Sequence, residues 1–119
     1  MRCLRQSYPR KGGQLSDREL LELAAKAAWY DVVYESTYLT FFRQNVPGRP
    51  IWNPLNDDGD ALRLAVKLKL SVNIEERDQH EWSHIVWVGS VFEPLQSDPY
   101  AATRRAIVKA AAEIGRGME

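Results

Sequence analysis

Apolar positions along the chain follow two periods, helical and alternating, and each stretch predicts an element. Over residues 17–29 the spacing is helical, with Leu20, Leu23, Ala24 and Ala27 forming one stripe. Ser16 followed by Glu19 has the spacing of a capping box, which fixes where that helix begins. Over residues 30–42, YDVVYESTYLTFF, β-branched and aromatic side chains dominate, the composition of extended chain. The run is too long for one ordinary strand, so two strands with a turn or bulge near residues 35–37 are expected. Asn45, Pro47, Gly48 and Pro50 then make a loop that leads to Trp52.

In WNPLNDDGDALRLAVKLKL, residues 52–70, Pro54 forces a sharp turn after Trp52. Asp57 or Asp58 can cap a second helix, and these two with Asp60 set three carboxylates against the positive end of its dipole. Ala61, Leu64, Ala65 and Leu68 form one apolar row and Leu62, Val66 and Leu70 a second, leaving Arg63 and Lys67 as a narrow polar edge. This helix is therefore expected to be covered on most of its circumference. Residues 71–76 alternate, with Val72 and Ile74 on one face of a half-buried strand. A polar connection over 77–83 leads to HIVWVGSVF, residues 84–92, a near-continuous apolar run suited to a more central strand and pairing with 71–76 as a hairpin.

Asp98-Pro99 starts a last helix and Gly115 is a natural stop, giving residues 99–114. Its inward positions are Ala102 or Thr103, Ala106, Ile107, Ala110 and Ile114, with Arg104, Arg105 and Lys109 outward. The order helix, strands, helix, strands, helix gives an α+β domain whose sheet is covered by amphipathic helices.

Composition narrows the function classes. The 119 residues suffice for one domain with its own core. A single cysteine, Cys3, disfavours a disulfide scaffold and suits a reducing cytoplasm. No apolar run approaches the roughly 20 residues of a membrane span, and the basic start lacks the apolar stretch of a secretory signal. Formal charge is zero, from 16 basic and 16 acidic residues, yet Arg2, Arg5, Arg10 and Lys11 make residues 1–15 a basic extension interrupted by Pro9 and Gly12-Gly13. The domain proper, residues 16–116, is mildly acidic, which argues against a reader of duplex DNA.

Two stretches, WNPLNDDGDALRLAVKL and SDPYAATRRAIVKAAAEIG, with ELLELAAKAAW before them, resemble the phage ABA-sandwich domain family of small proteins of tailed bacteriophages and prophages. The resemblance covers roughly residues 16–116. It implies a layered helix/sheet/helix sandwich, here with a mainly antiparallel sheet and three main helices, and a place of work in the cytoplasm of a bacterial host. It supplies no activity, cofactor or catalytic residue. The matching positions Trp52, Asn53, Pro54, Asp58, Gly59, Asp60, Arg104 and Arg105 are at least as structural as functional.

Three constellations carry potential chemistry. His80, Glu81 and His84 spell HEWSH, the H-E-x-x-H pattern of zinc peptidases, which requires both histidines on one helical face and a third ligand. The β-branched and aromatic surroundings oppose a helix, and a third ligand would have to be a carboxylate such as Glu93 or Glu113. Asp57, Asp58 and Asp60 lack calcium-loop spacing, and capping accounts for all three. Tyr100, Arg104 and Arg105 lie at the start of the last helix, where amide hydrogens and guanidinium groups suit a phosphate. Trp52, Trp82 or Tyr38, if exposed, could stack on a base, although aromatic residues at this density usually fill a core. The reading is a non-catalytic binding protein with Trp52, Asn53, Tyr100, Arg104 and Arg105 as ligand-site candidates. It needs no cofactor, works as an anti-defence or host-takeover factor, and takes a nucleotide-type signal, with the site at a homo-oligomer interface. The alternatives are an inhibitor covering a host protein surface and a HEWSH zinc hydrolase.

Overall fold

The computed structural model describes residues 15–76, 84–95 and 98–118. Three helices and six strands follow the expected order: α1 (Asp17–Ala28), β1 (Val32–Glu35), β2 (Thr40–Arg43), β3 (Ile51–Trp52), α2 (Asp58–Lys67), β4 (Val72–Glu76), β5 (His84–Val88), β6 (Val91–Pro94) and α3 (Pro99–Gly117). The strands are all antiparallel and divide into two three-stranded sheets, β1-β2-β3 and β4-β5-β6. The fold is α+β, and helices and sheets share one core.

Local chemistry sets the boundaries. The capping box of α1 is formed in both directions, Glu19 N–H donating to Ser16 Oγ and Ser16 N–H to Glu19 Oε1. The helix ends at Trp29, whose left-handed backbone (φ 61) lets its N–H close the last turn. Asp57 caps α2 by accepting from Asp60 N–H, and Asp98 caps α3 by accepting from Ala101 N–H. The 30–42 run makes two strands joined through a turn at residues 36–39, in register Val32 opposite Arg43 through Glu35 opposite Thr40.

The helix that packs against the most other elements is α3, rather than α2. It lies against α1, α2 and the β4-β5-β6 sheet, and Ala106, Ile107, Val108, Ala110, Ala111, Ala112 and Gly115 are all buried. Small side chains allow helices this close. Gly115 is the extreme case: it is interior to α3 rather than its stop, and a Cβ there would lie 2.1 Å from the Leu23 carbonyl oxygen of α1. Ile114, expected inward, is partly exposed because α1 approaches the helix through Gly115 instead.

Three further expectations are corrected. Only Ala61, Leu64 and Ala65 of α2 are buried, so Leu62 and Val66 of its second apolar row are uncovered, 63% and 67% exposed, while Leu70, past the helix end, packs partly against the core. The HIVWVGSVF run is a hairpin instead of one strand: Gly89 (φ 62) and Ser90 form a two-residue turn between Val88 and Val91, and the apolar flanks hid that signal. Val72 and Ile74 are 39% and 60% exposed, although their cross-strand neighbours Val88 and Val86 are fully buried, because β4 is the sheet edge.

Candidate functional site

A recess with mixed lining lies between α1 and the first sheet. Arg18, Glu22, Ala25 and Lys26 are one helical face of α1, and with Tyr30, Asp31, Val32, Val33, Tyr34 and Phe41 they enclose an open cleft of about 540 Å³. Eight residues of helix separate Arg18 from Lys26, roughly 12 Å of length. A smaller pocket of about 190 Å³ shares Arg18, Tyr34 and Phe41 with the cleft and is also lined by Thr40, Asn53, Leu55 and Asn56. Together they have the size and mixed lining expected of a small-molecule site.

Two of the cleft's lining tyrosines are stacked by guanidinium groups. Arg18 lies 3.9 Å above the Tyr34 ring where the two recesses meet, and Arg43 lies 3.9 Å above Tyr30 beyond the end of α1, with Lys67 Nζ 5.7 Å from that ring. The remaining charges on the cleft wall balance: Arg18 approaches Glu22 at 3.5 Å, and Asp31 accepts from Asn45 Nδ2. Arg43 has no carboxylate partner among the described residues, and its Nε is buried without a hydrogen bond. Positive charge is therefore least compensated beside Tyr30.

Asn53 carries an unused acceptor. Asn53 is fixed by its backbone, whose N–H donates to Asp60 Oδ2 at 2.9 Å, while Asp60 Oδ1 accepts from Arg63 at 2.8 Å. That second bond raises the Arg63 pKa, and the two hydrogen bonds hold the carboxylate on both oxygens. Asn53 lines the smaller pocket, and its side-chain Oδ1 is buried and accepts nothing. A buried carbonyl without a donor costs about 1–3 kcal/mol, so its retention calls for a reason.

The sequence-selected residues divide. Asn53 is in the site. Trp52 is 2% exposed, pairing with Phe41 across the sheet and meeting Tyr30 edge-on at 5.8 Å, so its ring is core and offers no face to a ligand. Arg104 is a strut: its Nε donates to Leu55 O at 2.8 Å and its Nη1 to Asp58 Oδ1 at 2.6 Å, tying the WNPLNDD turn to α3. Arg105 donates to Asp17 at 3.0 Å and so braces the first turn of α1 at the small pocket's rim. Tyr100 is exposed on α3, away from the cleft lining. Asp57, Asp58 and Asp60 serve as cap, ion-pair partner and tether. Tyr38 is exposed on the β1–β2 turn, edge-on to Phe42. Of HEWSH, His80 and Glu81 lie outside the described residues, as does Trp82, and His84 opens β5 opposite Glu76. Arg18, Tyr34 and Arg43 gave no signal in the sequence, because their stacking depends on the packing of α1 on a strand pair.

Among the described residues no cluster of His, Cys, Asp or Glu is arranged to hold a metal ion, and no helix is long and apolar enough to cross a membrane. Comparison of the chain with protein-family models, curated proteins and solved structures finds no match.

Proposed function

We propose that this chain is a non-catalytic binding protein of the phage accessory kind, which sequesters a small nucleotide-type signal in the cytoplasm of a bacterial host. The ligand lies along α1, its base between the Arg18–Tyr34 stack and Asn53 and its anionic end beside Arg43 and Lys67. The observation that carries this reading is the orphan Asn53 Oδ1, on a residue lining a pocket that shares Arg18, Tyr34 and Phe41 with the larger cleft. An acceptor buried there suits an exocyclic amine, and a tyrosine ring already stacked by a guanidinium offers the flat surroundings a base requires. Arg43 and Lys67, without a carboxylate partner among the described residues, lie at the ring of Tyr30, which lines the larger cleft.

Titration calorimetry against a panel of nucleotides, cyclic and linear, tests the proposal. Binding that Tyr34→Ala or Arg43→Ala weakens supports the site, and uniform failure across amine-bearing nucleotides rejects it.

The alternative, a cover for a host protein surface, rests on the outward face of the first sheet. Val33, Phe42 and Ile51 form a row across three strands, Tyr38 packs edge-on against Phe42, and Arg49 lies above it while pairing with Glu35. Aromatic residues and arginine with a charged rim are the usual makeup of interface centres. A host protein that co-purifies with the wild type and is lost on Tyr38→Ala with Phe42→Ala would select this reading.

A further inference from the structure

We infer that the free edge of β4 pairs with β4 of a second copy, joining two three-stranded sheets into one six-stranded antiparallel sheet. The inference is independent of the cleft. Of the four sheet edges among the described residues, three are blunted in recognisable ways. β3 is two residues long between Pro50 and Pro54, β6 ends in Glu93 and Pro94, and every side chain of β1 is half-buried. β4 is five residues, the longest edge, with no proline, and its carboxylates, Glu75 and Glu76, are confined to its C-terminal end. Among the described residues, no strand lies beside its outer backbone groups.

The side chains say what kind of neighbour is missing. Val72 and Ile74 point to the same side of the sheet as Val88 and Val86, their cross-strand partners, which are fully buried. Their own exposure comes from lying beyond the helical cover, so the missing neighbour is a strand with apolar residues on that side. β4 itself has that pattern. A two-fold axis perpendicular to the sheet keeps the helix-facing sides of both copies together, and the pleat then admits only registers that match faces. With Asn73 opposite the partner's Asn73, Val72 meets the partner's Ile74, and Glu75 falls opposite the partner's Ser71. Apolar residues pair with apolar ones on one face, and no glutamate faces its own copy.

Sedimentation equilibrium of the whole chain, in a Cys3→Ser background, gives the first reading. The pairing predicts a species of two 13.6 kDa chains at concentrations up to about 0.1 mM. Ile74→Lys, which sets a charge into the joined face, should weaken association by roughly a hundredfold or more without unfolding the monomer, where residue 74 is already exposed. Asn73→Cys should form an intermolecular disulfide on mild oxidation, since directly opposed residues have Cα atoms about 4.5–5.5 Å apart. A wild-type monomer throughout that range overturns the inference. So does a dimer that survives Ile74→Lys, or an Asn73→Cys variant that fails to cross-link. Calorimetry on Ile74→Lys separates this from the cleft, because nucleotide affinity should be unchanged.

Discussion

Gly115→Ala tests the packing on which the whole arrangement depends. The new Cβ would stand 2.1 Å from the Leu23 carbonyl oxygen and 2.9 Å from its carbon. Carbon and oxygen atoms of neighbouring segments ordinarily approach to about 3.3–3.6 Å, so α1 and α3 would have to separate by about 1 Å. The obstacle is backbone, so no rotamer change relieves it. Overpacking of this sort costs about 1–3 kcal/mol, and alanine returns up to about 1 kcal/mol through its better helix propensity. The net expectation is a loss of about 1 kcal/mol, or about 4 °C in Tm for a chain of this length. Thermal and urea unfolding followed by far-UV circular dichroism measure it. Gly117→Ala is the internal control, because nothing lies within 4 Å of its added Cβ, and it should be neutral or slightly stabilising. A Gly115→Ala protein as stable as the wild type would refute the close α1–α3 approach, since propensity alone predicts a gain.

Further predictions address the caps and struts. Arg104→Ala leaves the Leu55 carbonyl without its donor and should cost about 1–3 kcal/mol in urea unfolding; Arg104→Lys should recover less than half, since one ammonium cannot reproduce the two-pronged bond to Leu55 and Asp58. An Arg104→Ala variant within about 0.5 kcal/mol of wild type would remove the strut role. Ser16→Ala breaks the capping box and should lower stability by about 1 kcal/mol, with the loss read by the same urea curves. Trp29→Gly relieves a non-glycine residue in left-handed backbone and should raise Tm by a few degrees, about 1 kcal/mol, because the exposed indole gives up little packing. A fall in Tm would mean that the Trp29 ring is held by contacts that outweigh the strain.

Helix starts were legible because each is written in adjacent residues: Ser16 with Glu19, Asp57 before Asp58 and Asp60, Asp98 before Pro99. The split of the 30–42 run was legible because its length exceeds one strand. Coverage was not, because it depends on partners distant in the chain. Leu62 and Val66 of the second apolar row looked like core and are surface, since the buried side of α2 is that of Ala61, Leu64 and Ala65. Gly115 looked like a stop for the same reason: only the position of Leu23 shows that it is a contact. In the candidate site, Asn53 was visible through the WNP turn, whereas the Arg18–Tyr34 and Arg43–Tyr30 stacks join residues of different elements. Arg104 and Arg105 read equally well as phosphate ligands or struts from sequence, and the carbonyl of Leu55 and the carboxylates of Asp58 and Asp17 engage both as struts.

The central claim is that the Asn53 carbonyl is kept unpaired for a ligand, and paired measurements on Asn53→Ala test it most directly. Removing a buried orphan acceptor should leave the free protein as stable as the wild type or up to about 1 kcal/mol more stable, since the backbone bond from residue 53 to Asp60 persists. The same change should weaken nucleotide binding in calorimetry by about tenfold or more, the worth of one lost hydrogen bond. Stability retained with affinity lost is the outcome the account predicts. Affinity retained, or stability lost with no ligand bound by either protein, would contradict it and return Asn53 to the turn as a structural residue.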